Sequence, residues 1–502
     1  MKRILLTLII VLLSHGTIFA QDIFFNPTLN IEGVLKKDYQ NATKGTPVVL
    51  QRIAKLKATP YNGNYETQAV IVANGVQLGI PISRLDIIDL HPDSNNAFWQ
   101  IAQLSNGLIS YYDKKGYQEI LRQEQAEEAD EYLKELAQSQ LLYEDAATED
   151  YLQCLLLSIA PNQFINTHKN PVPQIRILKS PSPDALMLSN QCLLISTGLL
   201  TTLDTEEELC AILAHNVLDH AIITTNKNIT HAKRAEFWGD VANGVVAATE
   251  EYLYQRYYNY EPGLVFATND LIQTLINEKI INRMGLDYSE KQEVEADEYA
   301  MKFMEFTGKN KEALISALTK IYSYYKDEHN AKALSKGDIY GTLEKRLEKM
   351  GAFTPLSEDR NYLKMTSTVV SFESGMMDYN RKYIASARLA MKNIDNKMAC
   401  PNDYIVITNS IMKLSNTPEN NKKCIAYLNK AEELSNTPNL NIHKLKILLS
   451  LRENKQTVTI KLLQEYQDLL ENVIQQSHET EETRWLVTEQ IWAEKLIHRI
   501  TL

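Results

Sequence analysis

At 502 residues the chain is long enough for two or three domains. A formal net charge of −11, with no block of Lys or Arg forming a basic face, argues against a nucleic-acid partner. The hydrophobic fraction of 44% is that of an ordinary globular protein.

The first segment stands apart. Met1, Lys2 and Arg3 precede an apolar run from Ile4 to Leu13, then small residues up to Ala20. A charged start, a brief apolar stretch and a small residue at the cut describe a secretory signal peptide over residues 1–20. The run is shorter than the ~20 apolar residues that span a bilayer, and nothing later is long and apolar enough to do so. The expectation is a periplasmic or secreted protein with no transmembrane segment after signal removal. Five cysteines (Cys154, Cys192, Cys210, Cys400 and Cys424) show no C-x-x-C or Cys/His ligand spacing. They are too few and scattered for a disulfide framework. Cys154, Cys192 and Cys210 are flanked by Leu and Ile, so buried free thiols are favoured there, and one bridged pair stays open.

Residues 22–115 read as a small β-rich module. Thr46 to Ile53 and Thr67 to Ala73 are β-rich runs, and Asn74-Gly75 is a hairpin signal before Val76 to Ile80. Leu85 to Leu90 is a further candidate strand that would close a barrel or sandwich. Residues 116–149, rich in Gln, Glu, Ala and Leu, predict a helical linker or an opening helix of the next domain. A central domain is expected over residues 150–352. It opens with a helix from Tyr151 to Ser158 and strands Gln174 to Leu178 and Cys192 to Ile195. The turn Ser196-Thr197-Gly198 follows. Thr205 with Glu208 three residues on forms a capping box that opens the next helix. Residues 353–502 read as helices with polar turns, in which LSNTP occurs at residues 414–418 and again at 434–438. That spacing suits a helical-repeat, tetratricopeptide-like platform, with a plain helical cap as the alternative.

The helix after Thr205 carries the chemistry. A zinc-peptidase helix reads H-E-x-x-H, with two His one turn apart on the metal and a Glu that takes a proton from bound water. Here His215 is present, Asn216 stands at the general-base position and Asp219 at the second ligand position. Residues four apart lie about 40° from each other on a helix, so His215 and Asp219 share a face, whereas His220 lies about 140° round. Downstream, Glu293 and Asp297 form an E-x-x-x-D pair in which the Glu reaches a metal and the Asp orients a ligand.

Four blocks in order make the stretch resemble the gluzincin family of zinc metallopeptidases that contains the CAAX prenyl proteases and their periplasmic bacterial relatives. Asp184-Ala185-Leu186 with Leu193 to Leu200 resembles the family's hairpin and turn, and Glu207 to Asp219 its zinc helix. Tyr288 to Asp297 resembles the Y-S-R-x-x-E-x-x-A-D helix, and Leu343 to Leu347 the closing segment with Arg346. Glu290 stands where the family often has Arg, and Tyr340 at the position of a His that approaches the metal in some members.

The resemblance implies an α+β, helix-dominated protein with a zincin-like domain. It implies a tentative metal set of His215, Asp219 and Glu293, supported by Asp297 and Arg346. Zinc is the cofactor so implied, with no metal at all as the alternative. Two carboxylates and one imidazole formally neutralise a divalent ion and lean toward harder ions. The bland alternative makes His215 a hydrogen-bonded interior histidine, and Glu293 and Asp297 solvated acids on a helix surface. The expected function is a degenerate (pseudo)peptidase that binds a polypeptide or protein partner in envelope protein quality control. The alternatives are an active metalloendopeptidase with an atypical His/Asp/Glu site, and a purely structural helical scaffold. No G-x-S-x-G elbow or phosphate-binding glycine loop supports other chemistry.

Overall fold

The computed structural model describes residues 29–59, 62–105, 117–160, 173–188, 190–223, 290–327, 339–476 and 480–501. The signal segment, His231, Tyr288 and Ser289 lie outside these residues.

The first element group is an antiparallel sheet of β1 (Ile31–Leu35), β2 (Pro47–Thr59), β3 (Asn62–Ala73), β4 (Val76–Pro81) and β5 (Ile88–His91), in the order β4-β3-β2-β1-β5. Asn74 and Gly75 both take positive φ (51° and 77°), which lets two residues close the β3–β4 hairpin with the twist of its strands. Sequence reading missed β1, whose Gly33 interrupts the β-branched run. The stretch from Leu85 is partly a 3₁₀ turn (Ile82–Ile87) rather than one strand. Ile31, Leu35, Val48, Leu50, Ile71 and Ile80 fill the core of this module.

Helix α1 (Asn95–Ser105) leaves the sheet and enters the next core. Trp99 is 1% exposed, stacks on Phe303 with ring centroids 4.9 Å apart, and donates from Nε1 to the Ile159 carbonyl at 2.8 Å. Helix α2 (Tyr117–Gln138) spans the segment expected as a linker or opening helix. Its Ala129, Tyr132 and Leu136 pack against Leu178 and Leu194, so it covers one face of the central sheet.

The central unit continues with α3 (Ala146–Ile159), β6 (Gln174–Leu178), β7 (Ala185–Met187), β8 (Cys192–Ser196), α4 (Thr197–Thr202) and α5 (Glu206–Ile223). Then come α6 (Glu290–Phe306), α7 (Ala313–Asp327) and α8 (Ile339–Met350). β8 lies between β6, which it pairs in parallel, and β7, which it pairs antiparallel. All five residues of β8 are buried, as a strand covered on both faces requires. Gly198, in the turn after β8, is fixed by space: a Cβ there would sit 2.1 Å from the Pro181 carbonyl oxygen.

Seven helices follow: α9 (Arg360–Tyr379), α10 (Tyr383–Asp395), α11 (Pro401–Leu414), α12 (Pro418–Leu434), α13 (Leu440–Arg452), α14 (Gln456–Gln476) and α15 (Thr480–Thr501). The two LSNTP copies end differently. At the first, Thr417 accepts from the Asn420 N–H and Pro418 is the first helical residue. At the second, Asn439 takes the cap and the helix begins past Pro438. A better capping residue two positions downstream of the repeated Thr moves the helix start. The molecule is thus helix-dominated with a small antiparallel sheet at its start, an α+β arrangement. Among the described residues no helix is long and apolar enough to cross a membrane.

Candidate functional site

Helix α5 carries one buried charged cluster at its start and another near its middle. At its start the capping box is closed in both directions. The Glu208 N–H donates to Thr205 Oγ1 at 3.1 Å, while Glu208 Oε2 accepts from the N–H groups of Asp204 (2.8 Å) and Thr205 (3.2 Å). Glu208 is fully buried, and its Oε1 also accepts from Ser316 Oγ at 2.5 Å and lies 2.7 Å from Lys320 Nζ. Lys320 reaches Asp204 at 2.6 Å, as does Lys392 of α10, which further donates to the Thr201 and Leu203 carbonyls. Burial by itself raises the Asp204 carboxyl, but Lys392 and Lys320 outweigh it and hold the group below its ordinary range.

The second cluster sits two turns further along α5. His215 (8% exposed) meets Glu293 and Asp297 from α6 and Arg346 from α8. His215 Nδ1 lies 2.9 Å from Asp297 Oδ1, and His215 Nε2 lies 3.5 Å from Glu293 Oε2. Arg346 grips Asp297 with two bonds, Nε to Oδ2 and Nη2 to Oδ1, both 2.7 Å, and places Nη1 2.5 Å from Glu293 Oε2. The paired geometry is the planar fork that guanidinium offers a carboxylate. Burial raises the Asp297 carboxyl, but Arg346 and His215 together hold it below the ordinary range. Glu293 and Asp297 are 8% and 2% exposed, so the solvated-surface reading of this pair does not hold.

Asn216, also buried, donates its side-chain amide to the Ile212 carbonyl one turn back at 2.9 Å. An amide held along its own helix has neither the basicity nor the direction of a general base. Asp219 lies within α5, but its side chain, like those of His220, Glu290 and Tyr340, is outside the described residues.

Sequence reading missed Ser316, Lys320 and Lys392. Only the Thr205–Glu208 cap was visible, because its partners are local. Lys320 is more than a hundred residues from Glu208 and carries no spacing signal.

Residues 146–368 match the family model described as Peptidase family M48. The chain therefore carries a metallopeptidase-family domain of the zincin-like class over these residues, and further helices follow it. No curated protein matches the chain.

That family implies zinc, so the donor set must be tested. Two donors on one tetrahedral zinc stand about 3.4 Å apart, given bonds of roughly 2.0–2.2 Å, and His215 Nε2 and Glu293 Oε2 are 3.5 Å apart. This pair alone has the spacing of one edge of a metal site. Against it, no group of three or more His, Cys, Asp or Glu with metal-holding geometry occurs among the described residues. The Glu293 oxygen that faces His215 already bears the Arg346 cation. The described residues do not complete a zinc site.

Proposed function

We propose that this is an exported member of the metallopeptidase class that binds polypeptides without cleaving them, in envelope protein quality control. The observation that carries this reading is Asn216 at the general-base position, whose amide turns back onto the Ile212 carbonyl; the Arg346 guanidinium, on the Glu293 oxygen that faces His215, supports it. A fixed internal cation stabilises the two acids of α6 in the role that a divalent ion would otherwise fill. Removing a positioned base lowers a hydrolytic rate by ~10²–10⁴-fold. The stack of helices from α9 offers a surface for an extended chain. Export rests on the residues 1–20 pattern of charged start and short apolar core.

The donor spacing of His215 and Glu293 favours a second reading, a live endopeptidase that completes its metal set with Asp219. Elemental analysis of the purified mature protein separates the two. Metal far below one equivalent, with no chelator-sensitive cleavage of casein, is the expected result. Stoichiometric zinc with chelator-sensitive cleavage overturns the non-catalytic reading. Asn216→Glu combined with Asp219→His is the complementary variant, expected to raise metal content and cleavage together.

A further inference from the structure

Glu373, near the middle of α9, is a buried acid that the site above does not use. It is 1% exposed and lies against the Thr197-Gly198 turn. Thr197 Oγ1 is 2.8 Å from Glu373 Oε2 and 2.9 Å from the Ser180 carbonyl oxygen, and it accepts from the Ser180 N–H at 3.1 Å. The Ser180 carbonyl also accepts from the Gly198 N–H at 2.7 Å. A threonine hydroxyl has one proton. With Glu373 ionised, two acceptors within 2.9 Å compete for that proton, and one close oxygen–oxygen contact is left without hydrogen. With Glu373 protonated on Oε2, the acid donates to Thr197, Thr197 donates to Ser180, and every contact carries one hydrogen. Its other oxygen, Oε1, has no hydrogen-bond partner among the described residues, a cost that is far smaller for a neutral acid than for a buried charge.

We propose that Glu373 is held as the neutral carboxylic acid and donates to Thr197, forming a proton-operated joint between the helical platform and the loop that leads into β7. Three pieces meet there. α9 begins the stack of helices, Thr197 opens α4, and Ser180 starts the loop to Asp184, whose N–H and carbonyl pair with Ser196 beside β7. Loss of the proton puts an unpaired charge under the turn that Gly198 can fill only without a side chain.

The charged groups on the neighbouring elements are engaged elsewhere or oppose the effect weakly. Lys382, ahead of α10, favours the ionised form. Lys392 of α10 is directed to Asp204 and the α4 carbonyls. Asp403 of α11 accepts from Ser371 and Asn393, and Asp145 at the head of α3 accepts from Thr368. Burial outweighs Thr197 and Lys382 and pushes the Glu373 carboxyl from 4.5 up to about 7. Because the folded value is the raised one, this group's contribution is fully present below pH 4.5 and is lost as pH rises through about 7.

The test uses the full chain, wild type and Glu373→Gln, with denaturant unfolding from about pH 4.5 to about pH 8.5. From this one group the wild-type unfolding constant should rise by about two orders of magnitude across the window. In the Gln variant that component should be absent. An infrared band of a protonated carboxyl should be present in wild type at mildly acid pH, fade through neutrality and be missing in the variant. Asp403→Asn, which should keep the band, guards against a second buried acid. If the Gln variant fails to fold, the wild-type band and its shift in Thr197→Val decide the matter. Absence of a protonated-carboxyl band in wild type near pH 6, the pH at which such a joint holds its proton, overturns the proposal.

Discussion

The start and the middle of helix α5 hold clusters of similar charge and burial but of different kinds. At the start, Glu208 is held by its own helix: two N–H groups one turn away, then Ser316 and Lys320 from α7. In the second cluster, Glu293 and Asp297 belong to another helix and rely on Arg346 from a third. One cluster fixes the start of the helix. The other fixes how three helices meet around the place where the family's chemistry belongs. A buried acid that a helix can cap survives loss of its cation, whereas an acid pair that depends on one guanidinium does not.

The sharpest way to break this contrast is to remove each cation. Arg346→Met leaves two buried carboxylates facing His215 and should cost ~3–5 kcal/mol in chemical denaturation. Gly198→Ala comes next, because the Cβ meets backbone at 2.1 Å rather than a movable side chain. A loss of about 3 kcal/mol, or failure to express soluble protein, is expected from overpacking. Lys320→Met should cost only ~1–3 kcal/mol, since Glu208 retains its hydrogen bonds from Asp204, Thr205 and Ser316. A Lys320 variant less stable than the Arg346 variant, in the same denaturation experiment, defeats the comparison. The smallest effect is Thr205→Ala, which opens one side of the capping box and should lower stability by about 1 kcal/mol. Combined with Lys320→Met it should show clear coupling in a double-mutant cycle, because both act on Glu208.

Much of the local structure was legible because its causes are local. Asn74-Gly75 needs positive φ, so the hairpin could be read from two residues. Strand β6 follows an alternating pattern and β8 a continuous apolar run, and the Thr205–Glu208 spacing marks the start of α5. Helix α1 was missed because the aromatic residues that anchor it, Phe98 and Trp99, make sense only against Phe303, about two hundred residues away. The acidic α2, whose apolar stripe is short, left a linker and an opening helix of the next domain open, and Ala129, Tyr132 and Leu136 pack it over the central sheet.

Within the candidate site, spacing put His215 on a helix face and Glu293 with Asp297 on another. Residue type alone marked Asn216 as unable to act as a base. No periodicity could say that Arg346 would reach the Glu293 oxygen facing His215, or that the Asn216 amide would turn back onto Ile212. Those outcomes depend on how α5, α6 and α8 pack, which is a property of the whole core.

The order of residues along the chain was sufficient for identities, helix starts, turns and the amide side chain at position 216. Folding in three dimensions decided which charges share a buried space. Electrostatic pairing in a desolvated interior depends on distances of a few ångströms between segments far apart in sequence, and only packing sets those distances.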